Sequence, residues 1–203
     1  MKLYIIIKRL FDILFSIIGI IIMIPTTIII KISYMINRDY NTIFYIQKRV
    51  GKDGRDFKLY KYRTMVIDAE KELNNLLKIK EYKDEWDRNQ KIKNDPRITK
   101  VGRILRKYSI DEMPQFVNVF LGNMSLIGPR PLVKGEIEKH DGNKTLYESV
   151  KPGITTWWGV NSDKAKTYEN RLKYEYYYIN NMNFILDIKC FFKTIRVIIK
   201  GKC

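Results

Sequence analysis

The 203-residue sequence is poor in the residues of common metal and redox chemistry. Its two cysteines, Cys190 and Cys203, supply neither a disulfide framework nor a thiolate metal cluster. A single histidine, His140, excludes a multi-histidine zinc site. Acids are scarce as well: 22 Asp and Glu against 38 Lys and Arg leave a formal charge of +16. Such an excess calls for an anionic partner, whether nucleic acid, acidic lipid or a phosphorylated substrate. What the sequence has in quantity is apolar. Hydrophobic residues make up 45%, too many for a disordered chain, and the length suits one domain without requiring two.

The first 32 residues hold 14 isoleucines, and the 18 residues from Ile13 to Ile30 carry no charge. As a helix they rise about 27 Å, a little short of a hydrocarbon core about 30 Å thick. A single-pass anchor is one reading. A helix that enters the bilayer and returns to the same side is favoured by three features. Pro25 interrupts the helical hydrogen bonding. Thr26 and Thr27 follow it, with hydroxyls able to serve freed carbonyls. Both flanks are basic: Lys2, Lys8 and Arg9 precede the run with Asp12, and nine basic against three acidic residues lie between Lys31 and Arg63. Basic flanks prefer the cytoplasmic face, and here both ends ask for it. Arg9 and Asp12, a turn apart, are placed to pair near the headgroups; snorkelling by Lys8 and Arg9 is the plainer alternative.

Beyond the anchor, Ile43–Gln47 and Phe57–Tyr60 read as two strands joined at Gly51–Gly54. Residues 66–92 read as a polar helix or helix pair. Thr99–Lys107 reads as a short basic helix with Ile104 and Leu105 buried. A second helix is expected from Ser109 towards Leu121, with Ser109 and Glu112 as a capping box that places Asp111 and Glu112 in its first turn. Gly122–Pro131 and residues 152–163 read as loops. Residues 184–200 suit either a helix in the membrane interface or a basic helix packed on the core.

Candidate chemistry concentrates between Asp95 and Pro131. Arg97, Arg103, Arg106, Lys107 and Arg130 surround the Asp111–Glu112 pair in sequence. Guanidinium groups grip phosphate oxygens with paired bonds. An acidic pair beside them could bind one Mg²⁺, or one carboxylate could attack phosphorus. A well-capped helix with solvent-facing acids is the bland alternative. Arg97, Arg106 and Arg130 are the leading phosphate ligands and Lys61 and Arg63 the next, with lipid headgroups as the other partner for that last pair.

The sequence resembles the monotopic phosphoglycosyl transferases, a bacterial sugar transferase family. Lys8-Arg9 with Asp12 and Pro25 resemble its membrane-entry signature. Gln47, Arg49, Gly51, Gly54, Phe57, Lys61, Arg63, Thr64 and Met65 follow its strand motif, and Asp95-Pro96-Arg97 through Gly128-Pro129-Arg130-Pro131 matches almost unbroken. The resemblance implies a mostly helical α+β monotopic membrane protein with a re-entrant helix (1–36), a small β-hairpin, interfacial amphipathic helices and a catalytic domain (37–203). It implies transfer of sugar-1-phosphate from a UDP-sugar to undecaprenyl phosphate with release of UMP. Asp111 would be the nucleophile forming a phosphosugar–aspartyl intermediate, and Glu112, with Asp111, would hold Mg²⁺. The location implied is the cytoplasmic face of the bacterial inner membrane, beside anionic lipids, early in polysaccharide assembly and upstream of further glycosyltransferases; a homodimer is left open.

The family pattern breaks after Pro152. Thr155 completes a matching PGIT, but Thr156 and Asp163 stand where the family has Gly and Arg, Gly159 replaces Gln, and Glu175 replaces Asp. Thr155, Thr156, Trp158, Asp163 and Glu175 are the expected donor-loop residues, and Thr156 is expected to miss the conformational freedom of Gly. A weakened or inactive polyprenyl-phosphate-binding scaffold is therefore the alternative function. Charge alone would permit weak nucleic-acid binding, but the uncharged segment and the absence of a recognised motif argue against a specific nucleic-acid partner.

Overall fold

The computed structural model describes residues 2–89, 92–164 and 167–199. The isoleucine-rich segment forms one helix, α1 (Lys2–Ile36), and helical backbone continues through Pro25. Pro25 has no N–H for the carbonyl four residues back. The hydroxyls of Thr26 and Thr27 fold onto that same turn, donating to the carbonyls of Ile22 and Met23 at 2.9 and 2.7 Å.

One stripe of α1 faces the rest of the chain: Tyr4, Lys8, Asp12, Ser16, Gly19, Met23, Thr27, Ile30 and Tyr34, three or four apart as one helical face requires. Contacts run along its whole length. The Tyr4 hydroxyl and the Lys8 ammonium both donate to Asp187 at 2.8 Å. Asp12 accepts from Ser125 Oγ and the Leu126 N–H at 3.0 and 2.9 Å. Gly19 lies under the Phe116 ring, so close that a Cβ would sit 2.5 Å from it. Thr27 meets the Tyr62 hydroxyl, and Tyr34 donates to the Arg63 carbonyl. Arg9 neither pairs with Asp12 nor snorkels: it donates to the carbonyls of Val119 and Phe120 at 2.7 and 2.9 Å. The opposite face, including Leu3, Leu10, Leu14, Ile21 and Ile28, is exposed.

The expected hairpin is present as β1 (Phe44–Val50) and β2 (Asp56–Tyr62), antiparallel, with Tyr45 opposite Lys61 and Arg49 opposite Phe57. The polar segment is the helix pair α2 (Ala69–Leu76) and α3 (Lys80–Asn89). The basic helix is α4 (Lys100–Lys107), capped by Thr99 Oγ1 accepting from the Gly102 N–H at 2.9 Å. Its buried stripe is Val101, Gly102 and Leu105; Ile104 is 59% exposed, against expectation, because Gly102 rather than Ile104 packs on the Thr64 backbone.

Two expectations for the following segment are corrected. The helix expected from Ser109 begins only at α5 (Gln115–Phe120). Ser109 is not its cap: it sits in the left-handed region at φ 53° without a side-chain capping bond, and Ile110–Glu112 is a 3₁₀ turn. Gly122–Pro131 is not all loop, for β3 (Ser125–Ile127) pairs in parallel with β4 (Gly153–Thr155). Strands of three residues are too short to show alternation, and their pairing needs Gly128 and Gly153 to approach where no Cβ would fit.

The chain closes with α6 (Lys144–Glu148), α7 (Tyr168–Asn180) and α8 (Phe184–Ile199). α8 combines the two readings of its sequence. Leu186, Asp187 and Cys190 are buried, while Ile185, Ile188, Phe192, Ile195 and Ile199 face outward. Its aromatic rings continue those of α1, with Phe11 against Phe184 at 5.6 Å and Phe15 against Phe191 at 6.1 Å.

Gly19→Leu is expected to cost about 1–3 kcal/mol by overpacking against Phe116. A lowered unfolding midpoint of detergent-solubilised protein would show it. Adding Phe116→Ala should recover part of the loss, whereas two simply additive losses would mean that the faces do not press together.

Candidate active site

The turn Ile110–Glu112 joins the basic end of α4 to the start of α5 and carries the acidic pair. Left-handed Ser109 makes the reversal, and the Glu112 N–H returns to the Ser109 carbonyl at 3.2 Å. Across from it stands β2. Lys61 Nζ donates to Glu112 Oε1 at 2.8 Å, in a pair that is partly exposed. Arg106, in the last turn of α4, donates from Nε to Thr64 Oγ1 at 2.9 Å. Burial pushes the Asp111 carboxyl up to about 6; Lys61 and Arg106 oppose that shift and Glu112 adds to it. Asp111, Glu112, Lys61 and Arg106 are thus one electrostatic unit, drawn from three elements.

Other expected phosphate ligands are spent within the fold. Arg97, 7% exposed, gives Nε and Nη2 to Asp95 and Nη1 to the Ala69 carbonyl. Arg63, also buried, donates to the carbonyls of Thr42 and Met65 and to Asp39, with its guanidinium over the Tyr34 ring. Both brace loops. Arg130 lies elsewhere, between Pro129 and Pro131; its N–H donates to Glu175 Oε1 at 3.3 Å and its carbonyl accepts from Tyr147. A cavity of about 390 Å³ runs beside it, with Val50, Lys134, Lys144, Tyr147 and Glu148 in its walls; Asp111 and Glu112 do not line it.

The donor-loop residues separate. Thr155 is in β4. Thr156 needs no glycine-like backbone: it is absent from the left-handed residues, and its Oγ1 accepts from the Gly159 N–H at 2.8 Å. Trp158 lies against the Arg171 guanidinium, 5.1 Å from its ring centre. The Asp163 side chain is outside the described residues. Glu175 is not in the loop at all: it sits on α7, fully buried, and burial raises its carboxyl to about 7 in spite of Arg171 and Arg130. Two residues that the sequence did not single out also matter here. Asp187 anchors Tyr4, Lys8 and Tyr178, and Arg171 reaches Glu136 at 3.3 Å. A lone acid in the apolar stretch 184–192 was the available signal for the first; the second is one of many cations.

Among the described residues, no group of three or more His, Cys, Asp or Glu side chains converges. Mg²⁺ is commonly held by one or two carboxylates together with substrate phosphates. Adjacent carboxylates at Asp111 and Glu112 fit this pattern.

Fold and site define a mostly helical protein built around one membrane-length apolar helix, with an acidic pair set between a lysine and an arginine. The chain belongs to the bacterial sugar transferase family, whose model matches residues 3–201. It is 40% identical over 194 residues to the UDP-galactose-lipid carrier transferase of Erwinia amylovora, which covers 95% of this chain and 40% of that protein. Identity is likewise 40% over 194 residues, with the same coverage, to the undecaprenyl-phosphate galactose phosphotransferase of Salmonella typhimurium. The exopolysaccharide production protein ExoY of Sinorhizobium fredii is 35% identical over 189 residues, 93% of this chain and 83% of that protein. The chain therefore spans about two fifths of the first two relatives and most of the third.

Glu175 titrates higher folded, near 7, than its ordinary 4.5. Its contribution to stability is therefore full below about pH 4.5 and is lost as pH rises through about 7. Denaturant unfolding across that window should show a decline on the order of 3 kcal/mol that Glu175→Gln removes. A slope equal in both proteins would mean that Glu175 is already ionised at pH 4.5.

Proposed function

We propose that this chain is a monotopic phosphoglycosyl transferase. It moves sugar-1-phosphate from a UDP-sugar to undecaprenyl phosphate at the cytoplasmic face of the bacterial inner membrane. The observation that carries the reading is the Asp111–Glu112 turn held between Lys61 and Arg106. Support for the membrane arrangement comes from the docking of α1. Polar contacts tie it to the same domain near both ends, at Tyr4, Lys8 and Asp12 and again at Thr27 and Tyr34. A helix crossing the bilayer would carry one of these polar surfaces through the hydrocarbon, at heavy cost. A helix that enters and leaves on one side avoids this, its exposed isoleucines and the outer face of α8 meeting lipid together.

In the first step a carboxylate oxygen of Asp111 attacks the phosphorus that bears the sugar. A new P–O bond forms to aspartate, the diphosphate P–O bond breaks, and UMP leaves with its electron pair. In the second step a phosphate oxygen of the polyprenyl phosphate attacks the same phosphorus, and the aspartyl carboxylate is restored. Each attack sets an anion against an anion, so the cations of Lys61 and Arg106 lower the repulsion. Mg²⁺ held by Asp111, Glu112 and the donor phosphates would supply further charge neutralisation. Shallow anchoring keeps Asp111 near the depth of the lipid phosphate, which shortens the search between reactants.

Asp111→Asn should lower UMP release from membranes given UDP-sugars and undecaprenyl phosphate by at least about a thousandfold. Undiminished release would end the assignment, and tight polyprenyl phosphate binding without turnover of any nucleotide sugar would favour the scaffold instead. In the metal-free protein burial holds the Asp111 carboxyl near 6, so its titration followed by infrared difference spectroscopy should be centred there. Lys61→Met removes a cation that lowers the Asp111 value, so that titration should move to higher pH; an unmoved titration would place Lys61 outside the nucleophile's field.

A further inference from the structure

Three guanidinium groups gather away from the acidic pair. Arg49 comes from β1, Arg130 from the segment after β3, and Arg171 from α7. Arg171 is 8% exposed, and Glu175, one turn further along α7, is fully buried. The cations feel one another. Burial first, then the charge of Arg130 and also that of Arg171, loosen the proton on Arg49 against the pull of Glu136. Glu136 serves two of the three, reaching Arg171 at 3.3 Å and Arg49 at 3.8 Å. Glu175 Oε1 accepts the Arg130 N–H, and burial holds its carboxyl near 7, so it is only a partial counter-charge.

Among the described residues, Arg49 Nε, Arg130 Nε and both Nε and Nη2 of Arg171 find no hydrogen-bond acceptor, and Glu175 Oε2 finds no donor. Buried donors are almost always satisfied. Water would satisfy them and leave the surplus positive charge uncancelled, which is costly in a buried site. An oxyanion answers both needs, and arginine forks are its usual protein partner. Protonated Glu175 adds an O–H for the same ligand. The cluster is also held ready. Arg171 lies over the rings of Trp158 and Tyr168, at 5.1 and 4.8 Å. Arg49 is fixed by Gln47 Oε1 at 2.6 Å and the Pro131 carbonyl at 3.2 Å. Arg130 is confined by prolines on both sides. Donors fixed before binding lose little freedom when the ligand arrives.

Position separates this site from the acidic pair. Arg49 and Lys61 project from the same hairpin face. Between them that face is filled by Phe57 and Leu59, both buried against Val119 and Met124. A ligand at one end does not reach the other through that packed core. Access comes from the opposite side. Of the three arginines, Arg130 also lines the cavity of about 390 Å³, whose walls set Lys134 and Lys144 beside Asp56, Glu138 and Glu148.

We propose that Arg49, Arg130 and Arg171, together with Glu175, form a site for one free tetrahedral oxyanion of the phosphate or sulfate kind, separate from the acidic pair and its reaction. The anion enters by the cavity and ties β1, the Arg130 segment and α7 together. Glu175 makes the site sensitive to pH. It faces Arg171 on its own helix, Arg130, Tyr147 of α6 and Cys190 of α8. Burial pushes Tyr147 and Cys190 up, away from neutrality, and arginines stay charged. Below about 7 Glu175 is neutral and donates; above it the carboxylate repels the anion.

Sulfate is the probe, because it is neither donor nor acceptor in the proposed reaction. Uptake of radiolabelled sulfate by the full chain in non-ionic detergent, at ionic strength fixed with sodium chloride, should saturate at one anion per chain at pH 6. Affinity should fall by about fivefold or more between pH 6 and pH 8. Arg171→Gln should weaken binding at pH 6 by about tenfold or more. Glu175→Gln keeps a donor without the charge, so at pH 8 it should match the unaltered chain at pH 6 within about twofold. This second variant carries the test if Arg171→Gln does not fold. Inorganic phosphate should displace the sulfate, and phosphatidic acid in phosphatidylcholine nanodiscs should not. Uptake that never saturates, or that a folded Arg171→Gln chain retains, would overturn the site. A pH slope that survives Glu175→Gln would overturn it too, and displacement by phosphatidic acid would give the cluster to lipid instead. None of these measurements involves turnover, so the transferase reading stands or falls separately, with Asp111→Asn.

Discussion

A carboxylate taken out of water has to be met by donors, and the whole arrangement hangs on how Asp12 is met. It sits on an otherwise apolar helix and receives Ser125 Oγ and the Leu126 N–H from the strand β3. Burying such a group alone would be prohibitive. Paired in this way, it fixes the depth and rotation of α1 against the domain. Lys8 with Asp187 repeats the device one turn away, and Arg9 closes the carbonyl end of α5. These bonds turn a helix of membrane length and composition into one wall of the folded domain. Its apolar face adjoins that of α8 through the contacts of Phe11 with Phe184 and of Phe15 with Phe191.

That placement matters because the acidic turn has few other constraints. Asp111 and Glu112 have no long helix beneath them to hold them by its dipole. They are held by a left-handed Ser109, a 3₁₀ turn and the facing Lys61. Cations are divided by task. Arg63 and Arg97 are saturated by carbonyls and by Asp39 and Asp95, and they stiffen the loops around the site. Lys61 pairs with Glu112, and Arg106, bonded to Thr64, acts on Asp111 through its charge. Arg49, Arg130 and Arg171 gather elsewhere, with Arg49 four residues along the hairpin from the position of Lys61. A net charge of +16 therefore does not act as a uniform field; part of it is local bracing within the fold.

Features set by near neighbours are legible in the sequence, and those set by distant segments are not. The hairpin was readable because β-branched and aromatic runs flank a Gly-bearing turn. The helix pair at 66–92 and the basic helix ending at Lys107 were readable from local composition and spacing, while the capping role of Thr99 emerged only in the structure. The capping box failed because Ser109 and Glu112 satisfy its spacing while the backbone at Ser109 turns left-handed, which no spacing rule detects. Ile104 was misplaced because burial on so short a helix is decided by what packs against it, here the Thr64 backbone at Gly102. The β3–β4 pairing escaped because each strand is three residues long and its partner lies far along the chain.

Local composition by itself settled what kind of chain this is. It fixed an apolar helix long enough for a membrane, a basic domain, and an acidic pair amid arginines, since periodicity, charge and turn chemistry act between near neighbours. Tertiary structure alone decided which of these groups are free to meet a ligand. Arg63, Arg97, Arg130 and Arg171 are the same residue type in one sequence, yet two are consumed by the fold and two keep unmet donors. A guanidinium's task depends on the acceptors brought to it by distant segments, and those segments meet only when the chain has folded.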